Sequence, residues 1–214
     1  MSGIDFQSLA LPGALLVLFT SLALLAFQDE RLSLGVLGLQ YIGVFILIAL
    51  HWPFIMSLTK LVAGWIATAV LGMAIASFGS VPPNSAQPNT AGNLFLRITG
   101  LSISALIFRV ITALMIVLVV LTLAPAMAEW VPGIHFEQVL GALILIGLGL
   151  LHLGLTADPL RVIIALLTTL SGFEIIYASV ESSTLVAGLL AGITLGLALI
   201  GAYLLSVPSV EVES

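Results

Sequence analysis

A chain of 214 residues that is 61% hydrophobic and 7% charged, with a mean hydropathy of +1.30, has too little polar surface to coat a water-soluble globule. Its five Lys and Arg are scattered and its net charge is −5, which excludes a nucleic-acid surface. With no cysteine, the chain makes no disulfide, no cysteine-ligated iron–sulfur cluster and no thiol catalysis of its own.

The bilayer is the solvent this composition fits. A hydrocarbon core of roughly 30 Å takes about 20 apolar residues per helix, and the sequence predicts an all-α integral membrane bundle of seven transmembrane helices, one domain over 1–214. The predicted spans are 9–27, 33–50, 54–78, 94–127, 138–156, 160–180 and 184–206. Barrel strands would alternate in polarity instead. The start, 1–8, holds Asp5 and no basic residue, and no small-residue cleavage site closes the first run, so that run reads as a permanent span.

Arg31, Arg97 and Arg161 follow the first, third and fifth spans and therefore share one side of the membrane. By the positive-inside rule that side is cytoplasmic, which predicts the N-terminus outside and the tail 207–214 inside. The stretch 79–93 (GSVPPNSAQPNTAGN) reads as an irregular cytoplasmic turn. The run after it is too long for one perpendicular span, so 94–101, with Arg97, is expected along the cytoplasmic surface. Pro125 and the stretch 129–137, with Trp130 and His135, read as an outer interfacial segment. In the last span Gly188, Gly192 and Gly196 fall nearly in line and let another helix approach closely. Gly35, Gly38 and Gly43 in the second span read the same way.

Charge inside these spans is what the composition leaves to explain. At 1.5 Å per residue, Lys60 has its Cα about 9 Å below the outer end of its helix. It shares a stripe with Ser57, Gly64, Ala67 and Thr68, whereas Trp65 points away, so the lysine is expected to face protein. Glu174 lies six residues from Val180, which puts it at nearly the same level, and Tyr177 and Glu181 continue its face toward the outer surface. A carboxylate there costs about 3 kcal/mol on insertion scales, so an opposite charge at its level is the expected partner.

Arg109 lies about 24 Å from the outer face, in the inner half. A guanidinium stays protonated, so its expected task is to hold a carboxylate, a carbonyl or water. His152, near the cytoplasmic end of the fifth span, suits a proton relay because imidazole titrates near neutrality. Gln40 and Tyr41 are further candidates for contact with these groups. His51 and His152 fall near opposite ends of their spans, against a bis-histidine haem, and no HExxH, GxSxG or Walker A pattern occurs. No cofactor, metal or catalytic chemistry is expected in this chain.

Arg31-Leu32-Ser33 with Gly35 and Gln40 behind it, Thr59-Lys60, and Arg161 thirteen residues before Glu174 resemble the hydrogenase-4 component E family. The C-terminal half of that family is similar to the K-type membrane subunit of respiratory complex I and to the C-type subunit of multisubunit cation/proton antiporters. The resemblance implies a non-redox subunit in a prokaryotic plasma membrane. Its partners would be antiporter-like and quinone- or hydrogenase-linked subunits of a complex that moves protons or sodium. It also implies that Lys60 and Glu174 take the places of the family's intramembrane lysine and glutamate; Arg109, His152 and Tyr177 join them as ion-translocation candidates from the residue reading above. K-type subunits carry a second buried acid in their last helix, and 184–206 has none. The alternatives are a purely structural or assembly subunit and a stand-alone secondary transporter.

Overall fold

The computed structural model describes residues 6–78, 103–131 and 133–207. Among them the chain forms seven helices and no strand: α1 (Phe6–Ala26), α2 (Glu30–Ile48), α3 (Phe54–Phe78), α4 (Ile103–Trp130), α5 (Phe136–Gly154), α6 (Pro159–Val180) and α7 (Thr184–Ser206). Every one is long and apolar enough to cross a bilayer, so the protein is multi-pass. The expected turn 79–93, the surface segment 94–101 with Arg97, and the tail beyond 207 lie outside the described residues.

The helix ends differ from the hydropathy limits for local reasons. α2 starts at Glu30 rather than 33 because Asp29 caps it, accepting from the backbone N–H of Arg31 at 2.9 Å and of Leu32 at 3.2 Å. Asp158 caps α6 in the same way through the Arg161 N–H, with Pro159 at the first helical position. α5 starts at Phe136 rather than 138, where the Gln138 side chain accepts from the His135 N–H. At its C-terminal end α4 runs through Pro125 to Trp130, beyond the expected 127. The outer interfacial segment therefore begins as helix and is confined to a short turn before α5, where Gly133 adopts φ 85°.

α2 and α6 lie against each other at the centre. α1, α3 and α5 flank α2, whereas α5 and α7 flank α6, and α3 packs along α7. α4 rests against α5 and, more lightly, α1. Burial follows this plan: 56% of the α6 span is covered by protein but only 11% of α4, whose Ile107, Phe108, Ile111, Leu114 and Leu118 face outward. Such a face contacts lipid chains.

The connections sort onto two faces. On one, the Arg161 guanidinium donates to the Phe27 and Gln28 carbonyls, joining the α1–α2 and α5–α6 turns. On the other, His51 Nε2 meets the Gly133 carbonyl at 2.8 Å and Trp52 Nε1 donates to the Glu181 carbonyl at 2.8 Å. These are called the arginine face and the opposite face below.

Glycines separate tight seams from open ones. A Cβ at Gly172 would lie 2.6 Å from the Ala142 carbonyl oxygen and 2.9 Å from Leu145 Cβ, so α5 and α6 touch backbone to side chain there. At Gly188, Gly192 and Gly196 nothing lies within 4 Å, so among the described helices none approaches the glycine line of α7. Of the glycines in α2, Gly43 does make a close contact, with Val17 and the Gly13 carbonyl, but Gly35 is open. Gly172→Ala is therefore expected to lower stability by about 1–3 kcal/mol through overpacking, and Gly188→Ala to leave it unchanged or slightly raised. Thermal unfolding in mild detergent distinguishes the two; equal effects would contradict this packing.

Candidate functional site

Lys60 and Glu174 meet. Lys60 Nζ lies 2.5 Å from Glu174 Oε2, and the two side chains are 6% and 2% exposed. The stripe of Ser57, Lys60, Gly64 and Ala67 is buried as its spacing predicts, with Trp65 half exposed. α3 brings the lysine and α6 the glutamate, and α2 and α7 supply their other neighbours. The Lys60 ammonium donates to Thr194 Oγ1 of α7 at 2.8 Å, and Thr194 passes its own proton to the Leu190 carbonyl. From α2, the Tyr41 ring lies beneath the ammonium, its centroid 5.3 Å from Nζ.

Gly64 makes that arrangement possible. Its position is one turn beyond Lys60 on α3, and any Cβ there would overlap the Tyr41 ring. The absent side chain lets the phenol lie flat against α3 and keeps Tyr41 at 1% exposure.

The ion pair is incompletely satisfied. The Lys60 ammonium lies close to Glu174 Oε2 but off the favoured hydrogen-bond angle, and among the described residues no other donor reaches either carboxylate oxygen. The Tyr41 hydroxyl is likewise buried without a partner. It lies beside Ser171 and within electrostatic reach of Glu174.

Polar groups continue from the pair toward the arginine face. On α6, Glu174, Ser171 and Thr168 recur every third residue and all are buried. Thr168 donates to Gln40 Oε1 at 3.1 Å, and Gln40 Nε2 donates to Ser21 Oγ at 2.8 Å, linking α6, α2 and α1. In the other direction the surroundings are mostly apolar, with the Ser57 and Thr59 hydroxyls bonded back to carbonyls of their own chain segment. A cavity of about 10 Å³, the space of about one water molecule, lies among Ile48, Trp52, Met56, Ala187 and the two charged side chains.

The other expected site residues are elsewhere. Tyr177 points its ring onto Phe173, with centroids 6.1 Å apart, and packs with the apolar cluster of Val44, Leu145 and Ile175. The polar face of α6 thus runs inward through Ser171 and Thr168. Counting backward from Glu174 in threes would have found it. Arg109 Nη1 donates to the Leu25 carbonyl at 2.9 Å, closing the C-terminal end of α1. That is one of the roles foreseen for it, at a distance from Glu174. His152 is buried at the arginine end of α5 with Nε2 unpartnered, within electrostatic reach of Arg161 and Arg109. Thr194 and Trp52 carried no separable signal in an apolar sequence. Their neighbours come from other helices.

No protein-family model matches the chain, and neither curated proteins nor solved structures give a significant match.

Breaking a buried pair by removing one partner strands the other charge, at about 3–5 kcal/mol. Lys60→Met and Glu174→Gln are each expected to destabilise the chain by that order in lipid nanodiscs. The double variant is expected to lose less than the sum. Strict additivity in thermal unfolding would mean the two groups do not interact.

Proposed function

We propose that this protein is a non-redox membrane subunit of a complex I-like, redox-driven proton or sodium pump, and that Lys60 and Glu174 belong to its ion pathway. The observation that carries the reading is the ion pair itself, an ammonium and a carboxylate 2.5 Å apart inside a chain that otherwise excludes charge from its core. Charged groups within a membrane bundle face protein or a cavity and mark ion routes. The pair differs from a fixed structural bridge in having carboxylate oxygens with no directed donor and a water-sized cavity beside it. A carboxylate with its second oxygen unengaged has a site left for another donor.

The resemblance to the hydrogenase-4 component E family, through Arg31-Leu32-Ser33, Thr59-Lys60 and the spacing of Arg161 and Glu174, supports the same assignment. On this reading the arginine face is cytoplasmic, the N-terminus lies outside, and the membrane is the plasma membrane of a prokaryote. The antiporter-like and quinone- or hydrogenase-linked partners then cover part of the surface that α4 and the open glycine line of α7 present. Arg109 anchors α1, and His152, beside two guanidinium groups, marks the cytoplasmic end of the route.

A purely structural subunit is the second reading, favoured by the interhelical hydrogen bonds of Gln40, Gln138 and Arg161. Coupling separates the two. In the assembled complex reconstituted into vesicles, Lys60→Met and Glu174→Gln are each expected to leave electron transfer running and to lower the ion gradient formed per electron. An unchanged ratio in both variants rejects the pump reading. Purified in mild detergent, the chain is expected to bring other membrane subunits with it. A monomer that moves ions unaided would point instead to a stand-alone transporter.

A further inference from the structure

Two buried polar groups beside Lys60 are incompletely satisfied, and they are complementary. Among the described residues the Tyr41 hydroxyl has no acceptor in full hydrogen-bonding geometry, only the neighbouring Ser171 oxygen, and Glu174 Oε1 has no donor. Leaving either unmade in a low-dielectric interior costs free energy that a hydrogen bond between them recovers. Ser171 gives its own proton to the Leu167 carbonyl at 2.9 Å, so it faces Tyr41 as an acceptor only. The phenolic proton is the one available to a carboxyl group arriving from Lys60.

We propose that Tyr41 is a positioning residue that receives the Glu174 carboxyl when the ion pair opens, giving this side chain two stations, one at Lys60 and Thr194 and one at Tyr41 and Ser171. The inference rests on the pump reading and deepens it. In the first station the Lys60 ammonium hands a proton to Glu174 Oε2, leaving a neutral amine and a neutral carboxylic acid. No charge is created. The attraction that held the two together is gone, and the acid turns toward Tyr41, whose hydroxyl donates to its carbonyl oxygen.

The second station lies on the side of the pair that leads to the arginine face. Three residues of helix advance about 4.5 Å, so Glu174, Ser171 and Thr168 span about 9 Å of bilayer along one line of α6. Gln40 adjoins Tyr41 on α2 and joins that line at Thr168 and Ser21. The route defined by Tyr41 therefore runs across the membrane within this one chain, from the depth of the ion pair toward its middle. Gly64 fixes the first element of this route, because the tyrosine ring is held against α3 whether or not its hydroxyl is engaged.

Tyr41→Phe tests the proposal, since it keeps the ring against Gly64 and under the Lys60 ammonium and removes only the hydroxyl. The full chain in lipid nanodiscs is examined by infrared difference spectroscopy, with the Glu174 carboxyl band assigned by its loss in Glu174→Gln. Wild type is expected to show a hydrogen-bonded carboxyl component that Tyr41→Phe lacks, with thermal stability retained. Superimposable bands in wild type and Tyr41→Phe overturn the proposal. In the assembled complex, Tyr41→Phe is expected to slow ion movement about tenfold, the rate equivalent of one hydrogen bond. Transport lost in Glu174→Gln but intact in Tyr41→Phe overturns the role of Tyr41 and leaves the pump reading standing. Transport intact in both overturns the pump reading and this proposal with it.

Discussion

Burying an ammonium beside a carboxylate constrains everything around it. Withdrawing both from water costs several kcal/mol per ion even after relaxation, and their attraction offsets this only when the geometry is close and the remaining polar valences find partners. Lys60 and Glu174 meet the first condition at 2.5 Å and the second only in part, through Thr194 and the face of Tyr41. Four helices are needed to close the site, and those four define the arrangement. α3 brings the lysine, α6 the glutamate, α7 the threonine and α2 the tyrosine. Gly64 matters to the site through what it lacks, because a methyl group there would displace the ring that covers the ammonium.

The rest of the bundle is held by a similar logic at smaller scale. Lipid chains are as apolar as leucine, so association of helices draws on close packing and interhelical hydrogen bonds rather than on expulsion of water. Gln138 Nε2 donates to the Leu47 carbonyl at 2.6 Å, joining α5 to α2, and Gln40 joins α2 to both α1 and α6. Arg109 and Arg161 close the carbonyl end of α1 from two other helices. Trp52 and His51 tie the turns of the opposite face together. The polar residues of this sequence are few, and most of those buried are spent on such ties. Glu174 is the charged exception: like Tyr41, His51 and His152, it keeps buried atoms without a hydrogen-bond partner among the described residues.

That exception lies between two unlike surroundings. Toward the arginine face, hydroxyls and an amide recur along α6 and α2. Toward the opposite face a small cavity lies between the two charged side chains and a mostly apolar wall of Trp52, Met56, Ile48 and Ala187, with Thr59 at its side. On the proposed pump reading, this difference in surroundings would give the carboxyl unequal access to the two sides of the membrane, as a directional step requires.

The sequence by itself determined the solvent, the helical class, the seven spans, the sharing of one face by Arg31 and Arg161, and the common depth of Lys60 and Glu174. Each of these follows from hydrophobicity summed along the chain or from rise per residue, which need no knowledge of neighbours. Helix starts at Glu30 and Pro159 were legible too, in the capping aspartates that precede them, although hydropathy alone placed them later. Only the tertiary structure decided that the two charges touch, that Tyr41 rather than Tyr177 attends them, and that the open glycines of α7 face away from the bundle. The reason is rotational: in a helix apolar on nearly every side, the sequence carries too little amphipathic signal to say which face turns inward. That choice is made by close contacts between distant residues, such as Gly64 with Tyr41 and Gly172 with Ala142.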